Sequence, residues 1–231
     1  MYKRQVGGLA AIAVGTLKVR TKLVDVDLPF FFISSAMFLL FIMDREFNWK
    51  EGVISLLLLC VFVVYTIKDE DEEEEVHEEK SAKITTKDIL YLIGGIIGIY
   101  FAAKYTVESV LNISDTMGIE SSIVTMIAVA IGTSLPEVIV SIRAALKGKH
   151  SVALGNVFGS NTFNALAVAG IPSFFGTLTV SEGAIAIGIP FFIVASLGFI
   201  FTCSDDKIQK WEGFALLVLY VAFVGKLVGL V

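Results

Sequence analysis

The chain has 231 residues, of which 55% are hydrophobic, and a formal net charge of -5. Its mean hydropathy is +0.80. The 22 residues 183–204 and the 31 residues 151–181 carry no charge, and uncharged apolar runs above about 18 residues read as membrane spans. A soluble enzyme, a nucleic-acid binder and a disordered chain are thereby excluded. The negative charge comes from one place: residues 69–79 hold nine acidic side chains in eleven positions.

Eight apolar segments follow one another near 6–15, 28–43, 52–67, 88–110, 120–143, 151–175, 183–203 and 212–230. The first is shorter than the ~20 residues a helical span needs, and the next two are expected to extend into their flanks. All are expected to be helices, because backbone groups in lipid need partners within their own segment. Cys60 and Cys203 both fall in apolar runs and predict buried thiols rather than a disulfide.

Threaded alternately, the connections 16–27, 68–87, 143–150 and 204–211 share one side and carry twelve Lys and Arg. The opposite connections carry Arg45 and Lys50. This asymmetry places the acidic linker 68–87 in the cytoplasm and the C-terminus outside. The linker itself reads from its run of like charge as solvated and disordered; a calcium-sensing role is the lesser alternative, since the run lacks the spaced Asp/Asn/Gly pattern of a calcium loop.

Sliding the chain by 161 residues aligns 15–64 with 176–225, with sixteen identities in fifty positions and no gap. Pro29 falls on Pro190, Asp44 on Asp205, and Glu51-Gly52 on Glu212-Gly213. The two copies run in opposite directions through the membrane, the pattern of an inverted-topology transporter. On this logic residues 1–67 are the end of a first repeat, 68–87 a linker, and 88–231 a complete second repeat. Counterparts of 88–166 would precede the chain, so the expectation is an N-terminally truncated fold.

The segment 120–143 contains Ala130-Ile131-Gly132-Thr133-Ser134-Leu135-Pro136-Glu137. A carboxylate deep in a span costs ~2.5–3.5 kcal/mol, so Glu137 is a functional candidate by default. Ala130, Thr133 and Ser134 precede it by seven, four and three residues and share its helical face. Pro136 cannot donate to the Gly132 carbonyl, which predicts a kink and a freed oxygen. Carboxylate, hydroxyls and carbonyl together suit Ca²⁺ or Na⁺ better than zinc or copper. The structural alternative for Glu137 is a partner cation, and Lys104 is the basic residue clearly inside another span.

In 151–175, Asn156, Ser160 and Asn164 recur every four residues, and Gly155 and Gly159 form a small-residue pair that would let a neighbouring backbone approach. Alone, this stripe reads equally as glue between helices; beside Glu137 it reads as an ion-lined face. Lys104 and Glu108 are spaced to pair with each other. Asn112, Asp115 and Glu120 fall around an outer loop, and His77 and His150 are isolated in loops. Neither an intramembrane Cys pair nor a Ser–base pair supports an enzyme.

Together, G-T-S-L-P-E at 132–137 and G-N-V-F-G-S-N-T-F-N at 155–164 resemble the second α-repeat of the calcium/cation antiporter superfamily, most closely its prokaryotic sodium/calcium exchangers. The resemblance implies an all-α polytopic membrane protein of ten helices in two inverted halves, and no cofactor. It implies central sites used alternately by Ca²⁺ and Na⁺. Glu137 would be a shared ligand, Thr133 and Ser134 oxygen ligands, Ala130 a carbonyl ligand, and Ser160 and Asn164 the rest of this half. A first α-repeat would be the partner that completes the site. Some members carry Asp where Asn164 stands, which leaves potassium dependence open. The expected home is a prokaryotic inner (plasma) membrane, with the lipid bilayer and the two ions as partners. A proton- or potassium-coupled relative and a non-transporting scaffold remain the alternatives.

Overall fold

The computed structural model describes residues 4–19, 26–74, 85–117, 121–205 and 207–227. Eight helices carry it: α1 (Arg4–Val14), α2 (Leu28–Phe41), α3 (Trp49–Glu74), α4 (Thr86–Met117), α5 (Ser121–Leu146), α6 (His150–Phe163), α7 (Ile189–Cys203) and α8 (Lys210–Leu227). They fall on the eight apolar segments. Trp49–Lys68 and Ile185–Cys203 are long and apolar enough to cross a bilayer by length and composition.

Four short strands occupy connections that the apolar pattern left unassigned: β1 (Thr16–Lys18), β2 (Glu46–Phe47), β3 (Leu178–Thr179) and β4 (Lys207–Gln209). They are two or three residues long, too brief for alternation to be visible.

Two compact units divide the chain, residues 1–64 with 133–231, and residues 65–132. The second unit holds α4, at 32 residues roughly 48 Å long. This helix runs past the expected span to Met117, so Asn112 and Asp115 are helical rather than in a loop, and Thr116 donates to the Asn112 carbonyl at 2.7 Å. Glu120 lies outside the described residues. Among the described residues one ion pair forms, Arg45–Glu182 at 3.9 Å, so Lys104 and Glu108 do not pair.

The first unit shows the internal repeat in its pairing. β1 pairs antiparallel with β4, and β2 with β3, so each ribbon takes one strand from each copy. Leu17 lies opposite Ile208 in one ribbon, and Phe47 opposite Leu178 in the other. Leu17 corresponds to Leu178 and Phe47 to Ile208, so the register itself is repeated with the copies exchanged. A two-fold axis between inverted copies produces this exchange. The ribbons cap opposite ends of α2 and α7, which enter behind Pro29 and Pro190 at their first turns, where a missing N–H costs nothing.

The aromatic core repeats too. Phe31 and Phe199 meet edge to face with centroids 5.7 Å apart, and their counterparts Phe192 and Phe38 lie 6.0 Å apart. Phe158 of α6 joins the first pair at 5.8 and 5.4 Å, and all three rings are buried. Burying such rings contributes ~1.5–3 kcal/mol each.

Both copies start their last helix the same way. The Asn48 N–H donates to Glu51 Oε2 at 2.7 Å, and the Gln209 N–H donates to Glu212 Oε2 at 2.6 Å. At α3 the Lys50 N–H also donates to Asn48 Oδ1 at 2.9 Å, so the Asn48 side chain caps the helix as well. Replacing Glu51 or Glu212 by Ala is expected to lower stability by ~0.5–2 kcal/mol each, as cap losses do. Thermal unfolding in detergent checks it.

Three expectations are corrected here. Cys60 is exposed on the outward face of α3, while Cys203 is buried; both thiols are free. The acidic run is not wholly without structure, because α3 continues through Glu74; residues 75–84, His77 included, lie outside the described residues. His150 opens α6 rather than lying in a loop.

Candidate functional site

The face that α5 turns inward reads off its burial. Ser134, Ser141, Ala144 and Ala145 are buried and Glu137 and Val138 half-buried, whereas Leu135, Ile139, Val140 and Leu146 are exposed. The inward residues recur at three and four, as one helical stripe must. Glu137 therefore belongs to the face turned toward the protein, and its Oε2 is shielded from solvent. The helix continues through Pro136. Proline supplies no N–H, so the Gly132 carbonyl loses its helical donor.

Asn156 of α6 holds this stretch of α5. Its Nδ2 donates to the Glu137 carbonyl at 3.2 Å and to Ser141 Oγ at 3.0 Å. The Ser141 hydroxyl in turn donates to the Ala153 carbonyl at 3.1 Å. Three hydrogen bonds thus fasten α5 to α6 at the level of the carboxylate. Ser141 is absent from the sequence-predicted set. Its signal was a hydroxyl one turn beyond Glu137, on the same face, within an apolar run.

Further along α6, the Ser160 hydroxyl donates to the Val157 carbonyl at 3.3 Å, and Asn161 Nδ2 donates to that carbonyl at 2.8 Å. Asn164 is half-buried and begins a π-helical stretch, Asn164–Val168, that continues α6. Such wide turns recur at functional sites. Thr162 is fully buried, and its hydroxyl finds no hydrogen-bond partner among the described residues.

Of the expected ligands, Ser134, Glu137, Ser160 and Asn164 lie on α5 and α6 or at their junction with the π turn. Ala130 and Thr133 are on α5 with side chains outside the described residues. The small pair Gly155 and Gly159 admits no neighbour: a Cβ at either would meet nothing within 4 Å. The close approach expected there is absent among the described residues, although both glycines are half-buried. No cluster of three or more His, Cys, Asp or Glu occurs among the described residues. A carboxylate together with hydroxyl, amide and carbonyl oxygens is the donor set of hard cations.

Asn156→Ala removes both donors that hold Glu137 and Ser141. It is expected to destabilise the chain by ~1–3 kcal/mol, since the Ser141 oxygen and the Glu137 carbonyl lose a buried partner. A melting curve in detergent measures this directly.

Apolar helices built twice in opposite orientation, with a carboxylate on an inward face, are the architecture of an integral membrane protein of the inverted-repeat kind. The chain belongs to the sodium/calcium exchanger protein family, whose profile matches residues 6–68 and 87–228. It is 39% identical over 139 residues to the sodium/calcium exchanger MaX1 of Methanosarcina acetivorans, across 60% of this chain and 40% of that protein. It is 29% identical to the uncharacterized membrane protein MJ0091 of Methanocaldococcus jannaschii, across 78% of this chain and 59% of that one. The chain thus spans between 40% and 59% of the length of these two relatives. Among solved structures, the sodium/calcium exchanger from Methanococcus jannaschii superposes with a TM-score of 0.66 at 26% identity, over 97% of this chain and 72% of that one.

Proposed function

We propose that this chain works in secondary active exchange of Na⁺ for Ca²⁺ by alternating access. The observation that carries the reading is Glu137 on the inward face of α5, fastened to α6 through Asn156. In this reading Glu137 offsets the cost of desolvating the cation. Thr133, Ser134, Ser160 and Asn164 supply neutral oxygens, and the Ala130 carbonyl adds one more. These six groups reach the lower end of the 6–8 oxygen ligands that Ca²⁺ takes, but one carboxylate balances only half of its charge, which leaves the rest to a facing, inverted α-repeat. The fragment reading follows from this shortfall and from the repeat offset. The twelve-to-two distribution of cations supports a cytoplasmic linker and an outward C-terminus.

Sodium coupling is supported by the G-T-S-L-P-E sequence around Glu137 and by the name carried by the relative from Methanosarcina acetivorans. The test is ⁴⁵Ca²⁺ uptake by the complete transporter in proteoliposomes under separate Na⁺, K⁺ and proton gradients. Uptake is expected with an outward Na⁺ gradient alone. Uptake that follows the proton gradient, or requires K⁺, overturns the coupling while leaving a Ca²⁺ antiporter.

A further inference from the structure

The two ribbons have the same fold and opposite surface chemistry. In β1–β4 the apolar pair Leu17 and Ile208 is fully buried, and the next pair, Lys18 opposite Lys207, is exposed. In β2–β3 the corresponding exposed pair is Glu46 opposite Thr179. Like charges directly across an antiparallel pair are destabilising. The sister ribbon folds without them at the same register, so packing does not demand two lysines there.

A third lysine stands beside this pair. Lys210, one residue beyond β4, places its Nζ 5.1 Å from the centre of the Trp211 ring, and Trp211 is exposed. The Lys210 N–H donates to the Gly15 carbonyl at 3.2 Å, which ties this corner to the start of β1. Among the described residues neither Lys18 nor Lys207 has an ion pair. Among the described residues the acidic groups of the adjoining elements are Asp27, Asp205 and Glu212, and the Glu212 carboxylate is engaged by the Gln209 N–H; Asp25 and Asp206 lie outside the described residues. The other end differs: Arg45 reaches Glu182, and Asp44, Glu46 and Glu51 stand near it in the chain.

We infer that the β1–β4 ribbon is a binding site for the phosphate headgroup of an anionic lipid, clamped between Lys18 and Lys207 with Lys210 and Trp211 beside it. A lipid is the occupant because the ribbon caps one end of bilayer-spanning helices. Its inner face is apolar, its outer face cationic, and an exposed Trp sits at its edge, as at a headgroup boundary. One phosphate between the two ammonium groups turns their repulsion into two attractive contacts.

The chain has two tryptophans, Trp49 and Trp211, so with Trp49→Phe the quenching that disappears on further Trp211→Phe substitution is that of Trp211. The complete transporter carrying Trp49→Phe is placed in nanodiscs of phosphatidylcholine. Brominated phosphatidylglycerol or brominated phosphatidylcholine is added at equal mole fraction, and Trp211 quenching is read. Enrichment of the anionic lipid by at least about fivefold over the neutral one is expected, from the attraction that each surface lysine exerts. Lys18→Thr with Lys207→Glu installs the side chains of the sister ribbon, a combination this fold already carries. It should abolish the enrichment and leave thermal stability in detergent unchanged or raised. Equal quenching by the two lipids, or enrichment that survives the double substitution, overturns the inference. So does loss of the enrichment on adding inorganic phosphate, which would make the ligand a soluble anion.

Discussion

Glu137→Gln is expected to abolish sodium-driven ⁴⁵Ca²⁺ uptake by the complete transporter, with a loss of at least about 100-fold and normal membrane insertion. The amide keeps the size and one carbonyl oxygen of the carboxylate but removes its charge. Leaving a buried charge without its counter-charge costs ~3–5 kcal/mol, and 1.4 kcal/mol is a factor of ten. Insertion should not suffer, because a neutral residue inside a span is less costly than a charged one. Asn156→Ala provides the contrast. It alters the clamp behind Glu137 without removing the charge, so uptake should fall far less than stability does. Full uptake by the Glu137→Gln protein would refute the role given to this carboxylate.

Much of the fold was legible because membrane helices declare themselves by length and hydropathy, and because a repeat preserves its punctuation. Pro29 and Pro190, Glu51-Gly52 and Glu212-Gly213 were visible as matched pairs in the sequence. Their reasons needed coordinates: the prolines start α2 and α7, and the two Glu side chains cap α3 and α8. The ribbons were not legible, since strands of two or three residues carry no periodicity. Their register depends on partners about 130 to 190 residues away in sequence. The inward position of Glu137 on α5 was legible from the cost of an intramembrane carboxylate. The use of Asn156 was not: a stripe at every fourth position shows which face is polar, not which of its members faces α5. Cys60 shows the converse limit. An apolar neighbourhood in a membrane helix does not imply burial, because the lipid-facing side is as apolar as the core.

The matched glycines lead to the second large effect. A Cβ built on Gly213 would lie 2.5 Å from the Gly8 carbonyl oxygen and 3.0 Å from Ile12 Cγ1. The first of these obstacles is backbone, which cannot rotate away. Gly8 returns the contact, with the Gly213 Cα 3.1 Å from its own virtual Cβ. α1 and α8 thus pack backbone to backbone, as small residues permit in membranes. The other copy repeats this at Gly52, where a Cβ would overlap Ser173 Oγ and lie 2.9 Å from the Gly170 carbonyl oxygen. Ile12 and Ser173 are themselves related by the offset of 161. Overpacking of this kind costs ~1–3 kcal/mol or more. Gly213→Ala is therefore expected to lower the melting point in detergent, and Gly213→Val to lower it further by separating α1 from α8. Gly52→Ala should act in the same direction. Since the two contacts lie at opposite ends of the unit, the Gly52→Ala and Gly213→Ala losses should add within ~0.5 kcal/mol. A Gly213→Val protein that melts with the unsubstituted chain would mean that α1 and α8 do not meet at these glycines.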